Sequence, residues 1–301
     1  MTEKAGRIHL GPGVEFDLIR TLTEGQSLPT PGVVLGPGDD CAILEGGIVV
    51  SADLSVEGIH FRSDWLTPEE IGYRATAAAL SDLAAMAAEP LGVLLSMALP
   101  SSGVPDSTSS RSGMDAREIQ RGASRACERE GVQIIGGDLA GSPGPLALDV
   151  VALGRSDSPV LRSGAQAGDE VWVTGRLGGS SAAVSHWIRG EAPPPELREV
   201  FVRPRPRIRE ALWLAKRVRL HALIDLSDGL AGDAGHLAAA SGLAFVLQEG
   251  SVPFHPAIGN DPLHFALKGG EDYELCLSVP PKSLDEWVAP FQDAFEIGLT
   301  R

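Results

Sequence analysis

The sequence predicts an α+β fold in which mixed sheets pack against helices. Short apolar runs that are rich in β-branched residues and bounded by Gly, Pro or Asp recur along the chain. They alternate with alanine-rich stretches of helical length. Strands and helices mixed in this way indicate α/β or α+β packing, and of these two classes we expect α+β. The 301 residues suffice for two domains, each with its own core.

The apolar runs predict eight strands. Their positions in chain order are 47–52, 93–99, 132–137, 146–154, 170–175, 221–226, 243–248 and 273–279.

Five segments are predicted helices, and the first of them has the clearest end signals. Thr67 is expected to cap it, Pro68 suits its first turn, and Pro90 is expected to stop it. Gly131 is a candidate C-terminal cap for the second helix. The five segments are 67–90, 115–131, 177–189, 206–217 and 230–242.

A polar, glycine-rich stretch at 154–170 separates the two halves of the chain. We place the domain boundary there, which gives an N-terminal domain of residues 1–158 and a C-terminal domain of residues 159–301. The Ser- and Gly-rich segment 103–115 is expected to be a mobile loop. The segment RPRPRIR at 203–209 could suggest phosphate binding, but alternating Pro and Arg is more often an extended, solvated lead-in to a helix.

Charge and composition narrow the function classes. The formal net charge is −15, which argues against nucleic acid or an anionic membrane as partner. Three cysteines, far apart in the chain, form neither a zinc spacing nor a disulfide framework and suit a reducing cytosol. The N-terminal residues contain no apolar run typical of a signal peptide, and no run is long enough for a membrane span. We therefore expect a cytoplasmic protein.

Acidic residues follow several predicted strands at the point where each strand ends. Asp53, Asp138, Asp225 and Asp228 occupy such positions, and Asp40 follows a Gly-Pro-Gly bend. Loops just past strand ends are where open sheets usually hold ligands. A single carboxylate there is commonly a helix cap or a turn residue. Because four of them follow strand ends, a shared site is the favoured interpretation.

Asp82 is the strongest single indication of such a site. It is the only acid between Glu70 and Glu89, in a helix otherwise made largely of Ala, Leu and Met. Helical geometry places it on the same face as Ile71 and Met86, which should be buried. Because an unpaired buried carboxylate is costly, Asp82 must be hydrogen-bonded, paired or bound to a cation. A structural hydrogen bond and a metal-site role both remain open.

The residue types indicate metal-assisted phosphoryl transfer. Most candidate ligands are carboxylates with no His or Cys beside them, and oxygen-only sites select hard cations such as Mg²⁺. The glycines of GGD at 136–138 and GGED at 269–272 would let backbone N–H groups approach phosphate oxygens. The sequence contains no GxxxxGK[ST] loop and no protein-kinase HRD or DFG signature.

The ordered set of motifs resembles the thiamine-monophosphate kinase family. Its members are GPGDDCAIL, SADLSVEGIHF, ALSDLAAMAAEP, IIGGDLAGS, LRSGAQAGD, IDLSDGLAGD and GGEDYELCL. That family belongs to the aminoimidazole-ribonucleotide synthetase-like superfamily. The resemblance therefore implies two α/β-type domains of that superfamily, whose mixed sheets pack with helices.

The resemblance implies transfer of the ATP γ-phosphoryl group directly to thiamine monophosphate, which yields thiamine diphosphate. It also implies several Mg²⁺ ions, a homodimer formed through the N-terminal domains, and nucleotide held in a cleft between the domains. No side chain is implied to act as a covalent catalyst. Matched motif by motif, the metal positions are Asp40, Ser51, Ala52, Asp53, Asp82, Asp138, Asp225 and Asp228. The ATP-contacting positions are Gly137, Asp138, Arg162 and Ser227, and the substrate-contacting positions are His60 and Glu271.

Two features depart from the family pattern. Ala52 stands where the family usually has a hydroxyl residue, so one oxygen ligand must be lost or come from backbone or water. Family members continue past a strand such as FEIGLTR and carry an aromatic substrate contact there, which this sequence does not contain. Either the sequence is a shortened one or the thiamine pocket is closed in another way, and substrate affinity is the property that this departure affects.

Two other functions remain as alternatives. One is an ATP-dependent ligase or cyclase resembling aminoimidazole-ribonucleotide synthetase, and the other is a non-catalytic nucleotide-binding regulator. A lone histidine after a strand, such as His60, is also commonly a structural group.

Overall fold

The computed structural model describes residues 14–23, 30–100 and 116–301. These residues form two consecutive halves, and each half contains one β-sheet together with helices. The expected mobile loop at 103–115 lies outside the described residues. The helix α1 (Val14–Thr23) comes first. No helix among the described residues is long and apolar enough to cross a membrane.

The N-terminal half contains a six-stranded sheet in the order β1-β2-β3-β6-β4-β5. Neighbouring strands are antiparallel except for β4 and β5, which are parallel and are joined through a helix. β3 pairs with β6 over nine residues in continuous register, so that Asp53 lies opposite Val150. The strands are β1 (Val33–Leu35), β2 (Ala42–Leu44), β3 (Ile48–Val56), β4 (Glu89–Pro100), β5 (Ile134–Ser142) and β6 (Ala147–Arg155).

Two helices, α2 (Pro68–Ala85) and α3 (Ala116–Arg129), pack closely against each other in this half. Their contact depends on two glycines. A Cβ atom on Gly72 would lie 1.9 Å from the Ile119 carbonyl oxygen, and one on Gly122 would lie 1.8 Å from that of Glu69. The helices therefore approach backbone to backbone, and α2 is buried over most of its length.

The C-terminal half contains a four-stranded antiparallel sheet in the order β10-β7-β9-β8. Its strands are β7 (Glu170–Thr174), β8 (Ala222–Asp225), β9 (Leu275–Val279) and β10 (Leu299–Thr300). The helices of this half are α4 (Gly179–Ile188), α5 (Pro195–Val202), α6 (Ile208–Ala215), α7 (Leu230–Ser241), α8 (Pro262–Lys268) and α9 (Val288–Phe295).

Most predicted elements occur in the structure, including the start of α2. Thr67 caps α2 and forms a capping box with Glu70, as its hydroxyl accepts from the Glu70 N–H and the Glu70 carboxylate accepts from the Thr67 N–H. Seven of the eight predicted strands are present, and the boundary near residue 158 falls in the connection between β6 and β7. That boundary stays a prediction.

Several predictions of element bounds are wrong. β3 and β5 continue past the predicted ends at 52 and 137, so Asp53 and Asp138 lie within strands rather than after them. One predicted helix end and one predicted strand are also wrong, for different reasons. α2 ends at Ala85 rather than at Pro90, and Ala87 turns the chain with a φ of 47°. Residues 86–88 are buried and apolar, so their pattern cannot be distinguished from one further turn of helix. Residues 243–248 alternate between half-buried and exposed positions but belong to no sheet among the described residues. Their inward side chains pack on the core of the C-terminal half, which explains the strand-like pattern.

The sequence pattern did not predict α1, α5, α8 and α9. Each of the last three has at most eight residues and carries a Pro in or near its first turn, which resembles a loop signal.

Candidate active site

Three carboxylates from distant parts of the chain converge on one point. Asp40 follows the Gly-Pro-Gly bend between β1 and β2, Asp82 lies in the last turn of α2, and Asp225 is the last residue of β8. Each offers an oxygen atom within 4.8 Å of one from each of the others. The N- and C-terminal halves therefore share this group, which we call the acidic cluster.

The acidic cluster has few polar partners. The Arg162 guanidinium donates to both carboxylate oxygens of Asp40, at 3.1 and 2.6 Å. The backbone N–H of Arg162 donates to Asp39 at 3.0 Å, so this residue holds both acids of the bend. The Ser51 hydroxyl donates to Asp82. One guanidinium thus faces several carboxylates that are mostly shielded from water.

Burial and mutual repulsion raise the pKa values in this region. Burial, with repulsion from Asp40, raises the pKa of Asp225 to about 7, and the same two causes raise that of Asp39 to about 7. The pKa of Asp82 lies well above its ordinary value because of burial and the nearby Asp225 and Asp40. A cation bound among these oxygens would remove the repulsion. The donors are carboxylate and hydroxyl oxygens, which suit a hard divalent ion.

The predicted substrate contacts lie together beside this cluster. His60 and Glu271 line a cavity of about 440 Å³ whose wall includes Trp65, Phe201 and the exposed Ile59. His60 also has a structural role, since its Nδ1 accepts from the Val56 N–H at 3.1 Å. We call this space the substrate cavity.

Asp53 lies between the acidic cluster and the substrate cavity. Burial raises its pKa, while the nearby His60 and Arg74 oppose that rise. A small cavity lined by Asp53, His60, Arg74 and Glu271 lies at the same point. The predicted metal and substrate positions thus meet at Asp53.

Arg74 is a site residue that sequence reasoning missed. Only 4% of its surface is exposed; its guanidinium pairs with Glu271, donates to the Phe201 carbonyl and lies 3.7 Å from the centre of the Phe201 ring. Glu271 itself has a φ of 69°, unusual for a residue with a side chain. The available signal was a lone arginine within an alanine-rich, buried helix.

Other predicted residues lie apart from the acidic cluster. Asp138 is exposed on the edge strand β5, three strands from β3, which is roughly 14 Å at the usual strand spacing. Its neighbour Gly137 has a φ of 148°, and a Cβ atom there would lie 1.8 Å from the Leu95 carbonyl oxygen. Ala52 is exposed and points away from its strand neighbours Ser51 and Asp53.

Ser227 and Asp228 are exposed in the turn after β8. Asp228 belongs to a second group with Asp233 and His236, whose ligand atoms lie within 4.8 Å of one another. The backbone N–H of Asp228 donates to Asp233 at 3.0 Å, which ties this turn to α7.

Comparison with known proteins extends over nearly the whole chain. The family model of AIR synthase related protein, N-terminal domain, matches residues 38–156, and that of the C-terminal domain matches residues 166–299. The thiamine-monophosphate kinase of Rhodopirellula baltica is 34% identical, with 86% of this chain and 80% of the relative covered. That of Mycobacterium tuberculosis is 36% identical, with 87% and 79% covered.

Solved structures agree with the sequence relatives. AaThiL complexed with AMPPCP and TMP superposes with a TM-score of 0.78 at 28% identity, over 96% of this chain and 89% of that one. Thiamine-monophosphate kinase from Stenotrophomonas maltophilia K279a superposes with a TM-score of 0.75 at 32% identity, over 97% and 93%. The HypE–HypF complex, at 16% identity and a TM-score of 0.72, shares the fold. From the two family models and these relatives, the chain belongs to the thiamine-monophosphate kinase family, built from the two AIR synthase related domains.

Proposed function

We propose that this protein transfers the γ-phosphoryl group of ATP to thiamine monophosphate, which yields ADP and thiamine diphosphate, with Mg²⁺ as the assisting ion. The observation that supports this most directly is the acidic cluster beside the substrate cavity, in a chain similar to thiamine-monophosphate kinases over most of its length. The chain is a phosphotransferase whose acceptor is itself a phosphate group.

The residues of the acidic cluster fit Mg²⁺. Asp40, Asp82 and Asp225 supply closely spaced carboxylate oxygens, and Asp53 lies next to them on the substrate side. When bound, Mg²⁺ would neutralise phosphate charge and draw the two phosphate groups together. Ser51 orients Asp82 by its hydrogen bond, and Arg162 orients Asp40.

We assign the remaining positions from the motifs. Ser227 and Gly137 are proposed ATP contacts, together with Arg162. Asp138 and Asp228 are proposed metal ligands, and both lie outside the acidic cluster. In that role they would contact a metal ion bound outside the cluster. Ala52 has no side-chain oxygen, so only its backbone can serve at that position.

The substrate cavity suits an organic phosphate with an apolar ring system. Trp65 and Phe201 offer aromatic faces, while Glu271 offers a carboxylate that attracts the positive charge of the thiazolium ring. Arg74 holds Glu271 and lies near Asp53, where the acceptor phosphate has to meet the nucleotide. Its guanidinium therefore positions Glu271 and adds positive charge at the transfer point.

We also propose a homodimer and a cytoplasmic location. Large apolar side chains are exposed on one face of the six-stranded sheet, among them Leu54 and Ile135, each more than half exposed. Such a surface is typical of a protein–protein interface. The three cysteines are buried and free, as suits a reducing compartment.

A coupled assay of ADP release tests the proposed function. With ATP and Mg²⁺ present, thiamine monophosphate should stimulate ADP release, while formylglycinamidine ribonucleotide, the substrate of the related cyclase, should not. Excess chelator should abolish the activity, Mn²⁺ should restore part of it, and Zn²⁺ should restore little. Stimulation by the ribonucleotide alone would favour the ligase or cyclase, and full activity in chelator would refute metal-assisted transfer.

A further inference from the structure

A second cavity, lined mainly by polar residues, lies beside the substrate cavity, and consecutive residues of one loop line the two. Glu271 lines the substrate cavity, whereas Asp272 and Glu274 line a cavity of about 540 Å³. Its walls come from α2 and α3 of the N-terminal half and from residues 199–207 of the C-terminal half. We call it the arginine cavity, because its lining includes Arg125, Arg129, Arg176, Arg203, Arg205 and Arg207.

Most acids of this cavity are already paired. Glu69 pairs with Arg125, Glu70 pairs with Arg198 at 2.8 Å, and Glu199 is 3.6 Å from Arg203. Each of these carboxylates has its charge balanced by a neighbouring guanidinium. They leave little negative charge to oppose an incoming anion.

The floor of the cavity is a network of buried ion pairs and hydrogen bonds. Arg207, 8% exposed, donates to both carboxylate oxygens of Glu274 and to Glu210. Thr174 also donates to Glu274, at 2.6 Å. Asp272 accepts from the backbone N–H groups of Gly178 at 2.6 Å and Ser180 at 3.5 Å, while burial raises its pKa to about 8.

Two arginines of the lining have no acidic partner. Within residues 14–23, 30–100 and 116–301, neither Arg176 nor Arg205 forms an ion pair or hydrogen bond. Both are exposed side chains. Two uncompensated guanidinium groups thus line one concavity in a protein whose net charge is −15.

We propose that the arginine cavity binds a small phosphate-bearing anion, held by Arg176 and Arg205. A guanidinium presents several N–H donors in a planar fork that matches phosphate oxygens. The volume lies in the range of small-molecule sites, whereas nucleic acid would be repelled by the acidic surface. The RPRPRIR segment at 203–209, interpreted from sequence as a solvated lead-in to α6, contributes Arg205 to this site.

A bound anion would join the two halves of the molecule. Its contacts would include the connection before α6 and the loop before α4, while α3 supplies Arg125 and Arg129 on the opposite wall. Because Asp272 follows Glu271 directly, occupancy of this cavity acts on the same loop that faces the substrate. The inference does not depend on the proposed function, since it concerns binding at a separate surface.

Calorimetric titration of the full chain in excess chelator tests the proposal. Without a cation, the acidic cluster repels phosphate, so binding there is suppressed. The probes are inorganic phosphate, inorganic diphosphate and ADP. We expect saturable binding of diphosphate with one site per chain, and a loss of at least tenfold in affinity for the double variant Arg176→Ala/Arg205→Ala.

The control variant is Arg155→Ala, which removes an exposed arginine at the end of β6, outside this cavity. It should bind diphosphate as the wild type does. Equal binding of diphosphate and ADP would show recognition of the phosphates alone, and tighter binding of ADP would identify a nucleotide. No saturable binding by any probe, unchanged affinity in the double variant, or equal loss in Arg155→Ala would overturn the proposal. Circular dichroism and melting curves verify that all three proteins remain folded.

Discussion

Asp82 is a side chain whose surroundings oppose its charge. It is mostly shielded from water, lies within 4.8 Å of two other carboxylates, and receives one hydrogen bond from Ser51. In a purely structural role, such an acid would be expected to face a cation or several donors. The structure instead surrounds it with like charge, which makes the metal role the better supported of the two interpretations.

The substitution Asp82→Asn separates these two roles. If Asp82 binds the metal, the variant should lose most activity, while the metal-free protein should melt no lower than wild type because one repulsive charge is removed. Its gain in melting temperature on addition of Mg²⁺ and ATP should also shrink. Melting curves with and without Mg²⁺·ATP, combined with turnover, measure all three effects.

The exposed substitution Asp293→Asn is the control and should change none of these quantities. If Asp82 only accepts a structural hydrogen bond, the variant should be destabilised by ~1–3 kcal/mol with normal activity. That result would contradict the metal assignment.

Arg74 combines a structural and a positioning role in one buried guanidinium. The substitution Arg74→Met keeps an apolar side chain against Phe201 but releases Glu271. Since a charge-assisted hydrogen bond contributes about 1.5–3 kcal/mol, we expect KM for thiamine monophosphate to rise by roughly tenfold or more. KM for ATP should change little, and steady-state kinetics with each substrate varied in turn provide the measurement.

Arg301→Met is the control, because Arg301 forms an ion pair with Glu170 at 2.8 Å and neither residue lines the substrate cavity. It should leave both KM values unchanged. Equal effects of the two substitutions would mean that Arg74 supports the fold without positioning Glu271.

At the scale of elements, α2 is the part of the molecule on which the site depends most. It carries Arg74 near its start and Asp82 near its end, and the two residues serve the substrate cavity and the acidic cluster, respectively. Its position is determined by the close crossing with α3 at Gly72 and Gly122. A shift of this crossing would therefore move both functional side chains.

The substitution Gly122→Ala tests the crossing. Its new methyl group would lie 1.8 Å from the Glu69 carbonyl oxygen, so the helices must separate. We expect a loss of about 1–3 kcal/mol in the free energy of unfolding, as for other overpacked contacts, together with reduced activity. Urea denaturation measures the first effect and the coupled assay the second.

Gly235→Ala is the control within another helix. A Cβ atom on Gly235 meets nothing within 4 Å, so α7 should gain up to ~1 kcal/mol from the better helix propensity of alanine. If Gly122→Ala were equally stabilising, the close crossing of α2 and α3 would be refuted.

At the scale of the whole molecule, the exposed apolar face of the six-stranded sheet has no cover among the described residues. Leu54 is 54% exposed and Ile135 is 61% exposed, and both lie on the face opposite to Ser51 and Asp53. Standard interfaces bury ~800 Å² per partner, and a sheet face of six strands can supply such an area. A second copy of the chain is therefore the proposed cover.

Wild-type protein should elute as a dimer in size-exclusion chromatography with light scattering, and Leu54→Glu should shift it toward the monomer, because a charge would be buried at the interface. Val246→Glu replaces an apolar residue that is 85% exposed in the C-terminal half and should leave the dimer intact. A monomeric wild type, or a dimer unaffected by Leu54→Glu, would exclude this interface.

Much of the fold and part of the site could be predicted from local sequence. The capping box at Thr67, the apolar runs of most strands and the isolated acid in α2 are short-range patterns, which the chain shows whatever its tertiary partners are. The ordered motifs indicated the family because each motif occupies a contiguous stretch. For the same reason, the sequence predicted that Asp40, Asp82 and Asp225 belong to one site before any distance between them was known.

Only the tertiary structure decided which residues meet. The pairing of Arg74 with Glu271 joins positions 197 residues apart, and no local pattern encodes it. The separation of Asp138 from the acidic cluster likewise follows from the strand order of the sheet. Residues 86–88 form a turn, although their buried, apolar pattern would fit a helix equally well. Local patterns depend on neighbours a few residues away, whereas a buried ion pair or a cavity depends on how whole sheets and helices pack.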